Sequence, residues 1–220
     1  MTLLPSKPIL YLITHGATAE ATSSASKEFQ DILNQVSAAV AAGVQLIQLR
    51  EKSLTARALF ELTACAAQIT RGTSTRLLVN DRADIAAGAG ADGVHLTTRS
   101  LEPEIVRQTF GAEFLIGAST HSFAEARAAR DGGADFVVFG PIFPTPAKER
   151  YGPPLGVDRL AKVASKLAPF PVLAIGGVST ENAPECLRAG ASGIAGIGLF
   201  RAPESLSRVV EEIRECSRIH

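Results

Sequence analysis

The chain has 220 residues, of which 22 are basic and 22 are acidic, so its formal net charge at neutral pH is zero. This balance provides no field that would attract nucleic acid or a membrane surface, and we expect neither as a partner. The hydrophobic share of 46% is enough for a sizeable core, and the length suits one domain covering residues 1–220. No segment is apolar over the ~20 residues that a bilayer span requires. The cysteines lie outside any metal-binding spacing, so we expect a cytoplasmic protein in a reducing compartment.

Short runs rich in valine, isoleucine and leucine alternate along the chain with longer segments of helical period. This alternation is typical of parallel strands that are buried on both faces and connected by helices. After the first run, Phe29, Ile32 and Val36 follow the spacing of one helical face, and Ser26 is the predicted N-cap of that helix. In chain order, the eight predicted strands are Ile9–Thr14, Val44–Arg50, Leu77–Asn80, Gly93–Leu96, Phe114–Ala118, Phe136–Phe139, Val172–Ile175 and Gly193–Ile197.

Eight strand–helix units in 220 residues leave about 27 residues for each unit, as a compact barrel requires. Glycines such as Gly43 and Gly90 follow the predicted helices, where a left-handed conformation ends a helix. We therefore predict an α/β fold, a single-domain (β/α)8 TIM barrel. An open doubly wound sheet is the alternative, but no G-x-G-x-x-G motif follows the first strand. Two long loops, Ala17–Ala25 and Pro141–Gly156, are candidates for a mobile lid.

Barrel enzymes carry their active sites at the C-terminal ends of the strands, and polar residues cluster at those positions in this sequence. Gln48, Arg50 and Lys52 come at the end of the second predicted strand. Arginine offers a planar fork that matches phosphate oxygens and lysine offers a point charge, so the two cations suit a diphosphate. The alternative is a surface salt bridge of Glu51 with these cations.

Further polar residues follow the third and fifth predicted strands. Asp81 can bind Mg²⁺ through an oxygen, and Asn80 can hydrogen-bond a ligand ring, although either residue also suits a helix N-cap. His121 comes just after the fifth run, where an imidazole can exchange protons near neutral pH, but a lone histidine is more often structural. We expect His95 to be packed or hydrogen-bonded inside the barrel.

Two glycine turns follow the last two predicted strands. Gly176 and Gly177 come after the seventh run, and Gly196 and Gly198 come at the end of the eighth. Barrels expose backbone N–H groups at these turns, and glycine lets an anion approach the backbone closely. Each turn alone could end a strand for steric reasons only, but the pair predicts a phosphate site.

Six segments, in order along nearly the whole chain, carry a resemblance to a known family: Gln48–Lys52, Leu78–Ala86, Gly93–Leu96, Ser119–Ser122, Phe139–Lys148 and Ala174–Val178. Together they resemble the thiamine phosphate synthase and TenI superfamily. The resemblance implies a barrel that joins hydroxymethylpyrimidine diphosphate to thiazole phosphate with Mg²⁺, releasing pyrophosphate. It assigns the pyrimidine diphosphate to Gln48, Arg50, Lys52 and Asn80, the metal to Asp81, the diphosphate or leaving group to Ser119, Thr145 and Lys148, and the thiazole phosphate to Gly177.

The sequence also departs from the synthase pattern. Ser100 stands where synthases usually have a second acidic metal ligand, Ala147 replaces a threonine, and His15 replaces a frequent aspartate. These departures resemble the TenI-like branch, which implies a thiazole tautomerase that uses His121 as its proton shuttle and needs no metal. A third alternative is a non-catalytic thiazole-phosphate binder. The retained diphosphate residues favour the synthase, with small phosphorylated substrates; the sequence leaves a homo-oligomer open.

Overall fold

The computed structural model describes residues 8–145 and 153–218. Its eight strands are parallel, each pairs with its neighbours in sequence, and the last pairs with the first to close a barrel. The predicted (β/α)8 barrel is thus confirmed, and every predicted run overlaps a strand. The strands are β1 Ile9–Ile13, β2 Leu46–Leu49, β3 Arg76–Asn80, β4 Gly93–Leu96, β5 Leu115–Thr120, β6 Phe136–Phe139, β7 Val172–Ala174 and β8 Gly193–Gly196.

A helix follows each strand, and two short 3₁₀ turns, Gly198–Phe200 and Pro203–Ser205, precede the last helix. The strand bounds differ from the predictions by up to two residues. β2 begins at Leu46 because the N–H of Val44 still bonds the last turn of the preceding helix, at Ala39 O. The helices are α1 Lys27–Ala41, α2 Ala56–Thr70, α3 Ala83–Ala89, α4 Pro103–Phe110, α5 Phe123–Asp131, α6 Val157–Leu167, α7 Ala183–Arg188 and α8 Leu206–Arg218.

The apolar side chains form two separate cores because successive residues of a strand point to opposite faces. The inner core fills the barrel and includes Tyr11, Leu78 and Phe136. The outer core packs between the strands and the helices and includes Leu10 and Leu12, the neighbours of Tyr11 in β1. Strands buried on both faces must be continuously apolar, which explains why the runs were recognisable in the sequence.

Polar side chains at the start of alternate strands connect neighbouring strands at the end of the barrel opposite the predicted site. Gln45 Oε1 accepts the N–H of Leu10, Asp92 Oδ2 accepts that of Leu77, and Asp135 Oδ2 accepts that of Ile116, all at 2.7–2.9 Å. Each acceptor lies just before its own strand and bonds the preceding one. These contacts fix strand ends and belong to stability rather than to chemistry.

The two predicted lid loops are partly tied to the barrel. In the first, Thr18 and Thr22 are buried, and the Thr18 hydroxyl donates to Glu51. Ser26 occupies the N-cap position of α1 as predicted, but its hydroxyl accepts from Ser23 N and caps no helical N–H. The second loop lies partly outside the described residues. None of the described helices has both the length and the apolar character needed to cross a membrane.

Candidate active site

A chain of hydrogen bonds crosses the floor of the barrel mouth. The Tyr11 hydroxyl donates to Gln48 Oε1 (3.1 Å), and Gln48 Nε2 donates to Asn80 Oδ1 (3.0 Å). Asn80 Nδ2 then donates to Asp81 Oδ2 (2.9 Å). Strand register brings Tyr11 and Gln48 together. Gln48 pairs with Ile13 of the adjacent strand, and Tyr11 lies two residues before Ile13 on the same inward face. Tyr11 is fully buried, and the exposed fraction rises from 1% at Gln48 to 8% at Asn80, so the chain leads from the interior to the mouth.

The two cations that follow β2 are available to an anionic ligand. Glu51 points inward with 3% of its surface exposed, and its carboxylate accepts from Gly16 N (3.2 Å) and from Thr18. Within the described ranges, Arg50 and Lys52 form no salt bridge with it. The salt-bridge alternative is therefore wrong, because two other donors already hold the Glu51 carboxylate. Arg50 is half-buried and Lys52 is exposed.

Asp81 has an unusual backbone and a carboxylate with several donors. It is the non-glycine residue with positive φ (59°) in the described part of the chain. Besides Asn80, its carboxylate accepts hydrogen bonds from the hydroxyls of Ser100 and Thr97. The N-cap alternative for Asn80 and Asp81 is wrong: α3 has Arg82 at its N-cap, without a side-chain capping bond, and both side chains are engaged elsewhere.

Ser100 lies beside Asp81, at the position where the synthase pattern usually has a second acidic residue. Its hydroxyl also accepts from Thr97 N (2.6 Å), which closes a short turn after β4. Over the described residues, no three acidic, histidine or cysteine side chains gather to hold a metal ion. Asp81 is thus the one carboxylate that this turn offers, and two hydroxyls surround it.

His95 lies inside the barrel, as predicted, with 2% of its surface exposed. Its ring contacts those of Tyr11 and Phe136 at centroid distances of 5.7 and 6.2 Å. Nε2 lies 2.9 Å from Ser119 Oγ, whereas the buried Nδ1 has no partner among the described residues. Burial lowers the pKa of His95 to about 4, so the imidazole is neutral at pH 7. Ser119 lies within β5 rather than after it.

His121 is exposed at the C-terminal end of β5, as the sequence predicted. Its Nδ1 lies 2.5 Å from Gly140 O, and its backbone N–H donates to Glu125 Oε2 (2.7 Å). A carbonyl oxygen can only accept, so Nδ1 carries a proton and Nε2 is the nitrogen left for a ligand. The contact with Gly140 therefore fixes both the tautomer and the position of the ring.

The first glycine turn requires glycine. Gly176 and Gly177 have φ values of 94° and 66°, and a Cβ on Gly177 would lie 2.5 Å from Pro144 O. The N–H of Gly177 donates to no described residue. In the second turn, Gly196 is buried, whereas Gly198 is exposed and has open space around its Cα. Thr145 is half-buried and directly follows Pro144, the residue whose carbonyl oxygen lies beside Gly177. Lys148 lies outside the described residues.

Comparison with known proteins gives the same family over almost the whole barrel. A family described as thiamine monophosphate synthase matches residues 10–200. The chain is 36% identical over 208 residues to a thiamine-phosphate synthase of Roseiflexus sp., covering 93% of this chain and 84% of that protein. This chain belongs to the thiamine monophosphate synthase family. A Geobacter sulfurreducens relative, named only provisionally as a thiamine-phosphate synthase, is 47% identical over 166 residues, covering 76% of this chain and 78% of that protein.

Solved structures agree with the family assignment. The thiamine phosphate pyrophosphorylase of Pyrococcus furiosus is 30% identical with a TM-score of 0.79, covering 99% of this chain and 97% of that one. A structure described as native KDPGal reaches a TM-score of 0.70 at 18% identity; this similarity shows the fold alone. The two relatives are named thiamine-phosphate synthases, one of them provisionally, and the Pyrococcus furiosus protein is named a thiamine phosphate pyrophosphorylase.

Two residues of this site had no predicted role. They are Tyr11, which lies within the first predicted apolar strand, and Thr97, which comes directly after the fourth. The available signal for Tyr11 was its hydroxyl: a buried tyrosine usually finds a hydrogen-bond partner, and here the partner is Gln48. For Thr97, the signal was its position directly after β4, on the face of the barrel where the polar residues gather.

Proposed function

We propose that this protein is a thiamine-phosphate synthase, which joins hydroxymethylpyrimidine diphosphate to thiazole phosphate and releases pyrophosphate. The observation that carries the proposal is the arrangement around one mouth: cations after β2 that form no salt bridge with any described residue, amides on β2 and β3, a carboxylate just after β3, and a glycine turn after β7. This arrangement supports the assignment of a diphosphate, a heterocycle and a second phosphate to separate parts of the mouth. The names of the relatives support the same reaction.

In this mechanism, Arg50 and Lys52 bind the diphosphate, and Gln48 and Asn80 hold the pyrimidine above the floor. The bond between the pyrimidine methylene and the diphosphate oxygen breaks, and pyrophosphate leaves with the electron pair. The thiazole nitrogen then attacks the methylene. Fixed cations favour this step because they stabilise the charge that develops on the leaving group. We assign Ser119, Thr145 and Lys148 to the leaving group.

The second substrate's phosphate belongs to the glycine turns. Gly177 offers an N–H that no described residue uses, in a backbone conformation that glycine adopts without strain. Gly196 and Gly198 lie at the end of the neighbouring strand β8, and we assign them to the same phosphate. Anion sites built from backbone N–H groups favour a dianion close to the chain, because no side chain intervenes.

Asp81 is the residue that would hold Mg²⁺. Magnesium commonly binds one or two carboxylates and takes its remaining ligands from substrate phosphate and water. A single carboxylate beside a diphosphate therefore fits, with Ser100 and Thr97 able to contact metal-bound water. When bound, the ion would supply positive charge to the leaving diphosphate.

We propose that the reaction takes place in the cytoplasm, which agrees with three free cysteines.

The test is direct synthesis with purified protein. Supplied with both substrates and Mg²⁺, the wild type should produce thiamine phosphate and pyrophosphate. Arg50→Ala should weaken pyrimidine diphosphate binding at least about tenfold, because a charge-assisted contact is lost. Arg57→Ala is the matched control, since Arg57 lies on the exposed face of α2 and should leave binding unchanged. Product-free reactions with a protein that binds both substrates would contradict a synthase and favour the non-catalytic binder.

A specific observation favours thiazole tautomerase as a second candidate. The contact of His121 Nδ1 with Gly140 O leaves Nε2 as a proton carrier at the mouth, and such a reaction needs a proton shuttle rather than a metal. A spectroscopic assay of thiazole aromatisation tests this candidate. His121→Ala should abolish turnover while thiazole-phosphate binding stays within about twofold of the wild type. Turnover that survives this substitution would remove His121 from the mechanism.

A further inference from the structure

The inference concerns Tyr11, which lies below the site and which the proposed reaction does not use. Its hydroxyl is fully buried and donates to Gln48. Edge-to-face packing on Phe136, with ring centroids 5.5 Å apart, holds the phenol ring in place. Burial raises the pKa of Tyr11 well above its ordinary range, so the hydroxyl keeps its proton. Tyr11 is therefore a neutral hydroxyl held in place at the inner end of the hydrogen-bonded chain, where it donates to Gln48 Oε1.

The outer end of the chain is a fixed acceptor. The Asp81 carboxylate oxygen Oδ2 accepts from Asn80 Nδ2, so Asn80 turns its Nδ2 towards it. Asn80 Oδ1 then faces Gln48, which must donate through Nε2 and keep Oε1 towards Tyr11. The Asp81 carboxylate thus determines the orientation of Asn80, Asn80 determines that of Gln48, and the Tyr11 hydroxyl stabilises the Gln48 orientation by donating to Oε1. Neither amide can rotate by 180° without placing two donors or two acceptors together.

The fixed orientation has a consequence for ligand recognition. An amide has two N–H donors and two acceptor lone pairs. Gln48 and Asn80 each donate one hydrogen bond and accept one within the row of hydrogen bonds from Tyr11 to Asp81. Each amide therefore presents its remaining donor and acceptor in one arrangement. An aminopyrimidine offers the complement, a donating amine beside an accepting ring nitrogen, as adenine does to asparagine or glutamine. An oxopyrimidine reverses that pattern at the same edge.

We propose that Tyr11 is a specificity-determining positioning residue, which together with Asp81 locks the Gln48 and Asn80 amides so that the site selects aminopyrimidines over oxopyrimidines. This inference rests on the proposed function, because it takes the pyrimidine to lie against these amides. Tyr11 acts through Gln48 and does not touch the substrate. Its removal should lower selectivity more than it lowers affinity for phosphate, since the phosphate contacts come from other residues.

The experiment compares the binding of two ligands in metal-free buffer without the thiazole substrate, so that no turnover occurs. The ligands are hydroxymethylpyrimidine diphosphate and its analogue with an oxo group in place of the amine. Because both carry the same diphosphate, the ratio of their Kd values isolates recognition of the ring. We expect a ratio of at least about 100 for the wild type, since buried polar groups reject a mismatched partner strongly.

Tyr11→Phe should lower this ratio about five- to tenfold, the effect of one hydrogen bond on orientation. Asp81→Asn should lower the Kd ratio by a similar factor, because an amide at position 81 can both donate and accept and so no longer determines the orientation of Asn80. Asparagine tolerates the positive φ of this position, so the backbone should be retained. Thr63→Val is the matched control for Tyr11→Phe, because it removes a buried hydroxyl that bonds only its own helix. Asp84→Asn is the control for Asp81→Asn, as an exposed charge on α3. Both controls should keep the wild-type ratio.

The outcomes separate this inference from the proposed function. A wild type that binds neither ligand, in metal-free buffer or with added Mg²⁺, refutes the proposed function. A wild type that binds both ligands equally, or variants that bind more weakly with an unchanged ratio, overturns the inference and leaves the synthase proposal standing. If Tyr11→Phe does not fold, as judged by circular dichroism, Asp81→Asn decides the question alone because its side chain is exposed.

Discussion

His95 Nε2 lies 2.9 Å from the hydroxyl oxygen of Ser119, inside the barrel and across the neighbouring strands β4 and β5. The imidazole is neutral, because burial lowers its pKa from the ordinary value of 6.5 to about 4. It therefore positions Ser119 through a hydrogen bond without adding a charge to the site. The other nitrogen, Nδ1, faces the backbone of Gly117: a Cβ built there would lie 2.8 Å from it.

We expect the stability of the protein to fall as the pH is lowered from 6.5 towards 4. In this window the unfolded chain protonates His95 and the folded chain does not, so protons favour unfolding. The difference of ~2.5 pKa units corresponds to at most about 3.5 kcal/mol at ~1.4 kcal/mol per unit. Urea unfolding of the wild type and of His95→Gln at several pH values measures this contribution as the difference between their slopes.

A direct check uses NMR of the native imidazole in metal-free buffer. The His95 nitrogen shifts should stay constant between pH 8 and about pH 5. Titration of His95 near 6.5 would contradict the prediction, whatever the stability data show.

Arg107 should be among the surface arginines on which stability depends. Its guanidinium donates to the carbonyls of Gly111, Phe114 and Gly133 and to the Asp135 carboxylate, at 2.7–3.1 Å. Arg107→Ala would leave several of these acceptors without donors, so we expect unfolding to become easier by about 3 kcal/mol. Chemical denaturation measures this loss.

The control for Arg107 is Arg127→Ala on the next helix. Arg127 makes only an i,i+4 ion pair of 3.5 Å with Asp131, and its side chain is 63% exposed. Such pairs contribute little, so the change in unfolding free energy should stay below about 0.5 kcal/mol. Equal losses of unfolding free energy in the two variants would show that the hydrogen bonds of Arg107 do not stabilise the protein more than an exposed ion pair does.

The sequence predicted the strands well because a parallel strand buried on both faces must be apolar throughout. It did not predict which polar side chains meet across strands, since this depends on register. The pairing of Asn80 with His95 on β3 and β4, for example, follows from barrel closure rather than from any local pattern. The salt-bridge interpretation of Glu51 failed for the same reason: its partners, Gly16 and Thr18, come from a loop more than 30 residues away.

The described candidate site residues were predictable as a set, because they lie at or after the C-terminal ends of strands that meet at one rim. Their individual connections were not. Tyr11 looked like an ordinary core residue, and the N-cap interpretation of Asn80 was equally compatible with the sequence. Only the side-chain positions show that Asn80 bonds Gln48 and Asp81. Roles that depend on a ligand, such as those of Lys52 and Ser119, stay predictions.

Ser100→Asp should increase the affinity for Mg²⁺ about tenfold. Ser100 contacts the Asp81 carboxylate directly, so the substitution places a second carboxylate where one ion can bridge both. Titration calorimetry with Mg²⁺ alone measures the effect independently of activity. Thr98→Asp adds the same charge to the same turn at an exposed position and should raise the affinity much less. Equal affinities of the two variants would mean that only general electrostatic attraction is involved.

Gly177→Ala should weaken the binding of thiazole phosphate by at least about tenfold and destabilise the protein. Alanine is strained at a φ of 66°, and its Cβ would meet Pro144 O at 2.5 Å and Phe143 Cβ at 2.8 Å. Strain of this kind costs about 1–2 kcal/mol, and the contacts add to it. To relieve these contacts, either the turn at Gly177 or the segment Phe143–Pro144 must move. Either movement shifts the Gly177 N–H relative to the place that we assign to the phosphate.

Gly72→Ala separates backbone strain from the effect on the site. Gly72 has a similar φ of 75°, but nothing lies within 4 Å of its added Cβ. This variant should lose about 1 kcal/mol of stability and bind thiazole phosphate as the wild type does. Comparison of the two variants by thermal unfolding and by titration with thiazole phosphate therefore distinguishes a phosphate-binding turn from a merely structural one: the turn is structural if Gly177→Ala loses stability but retains full affinity.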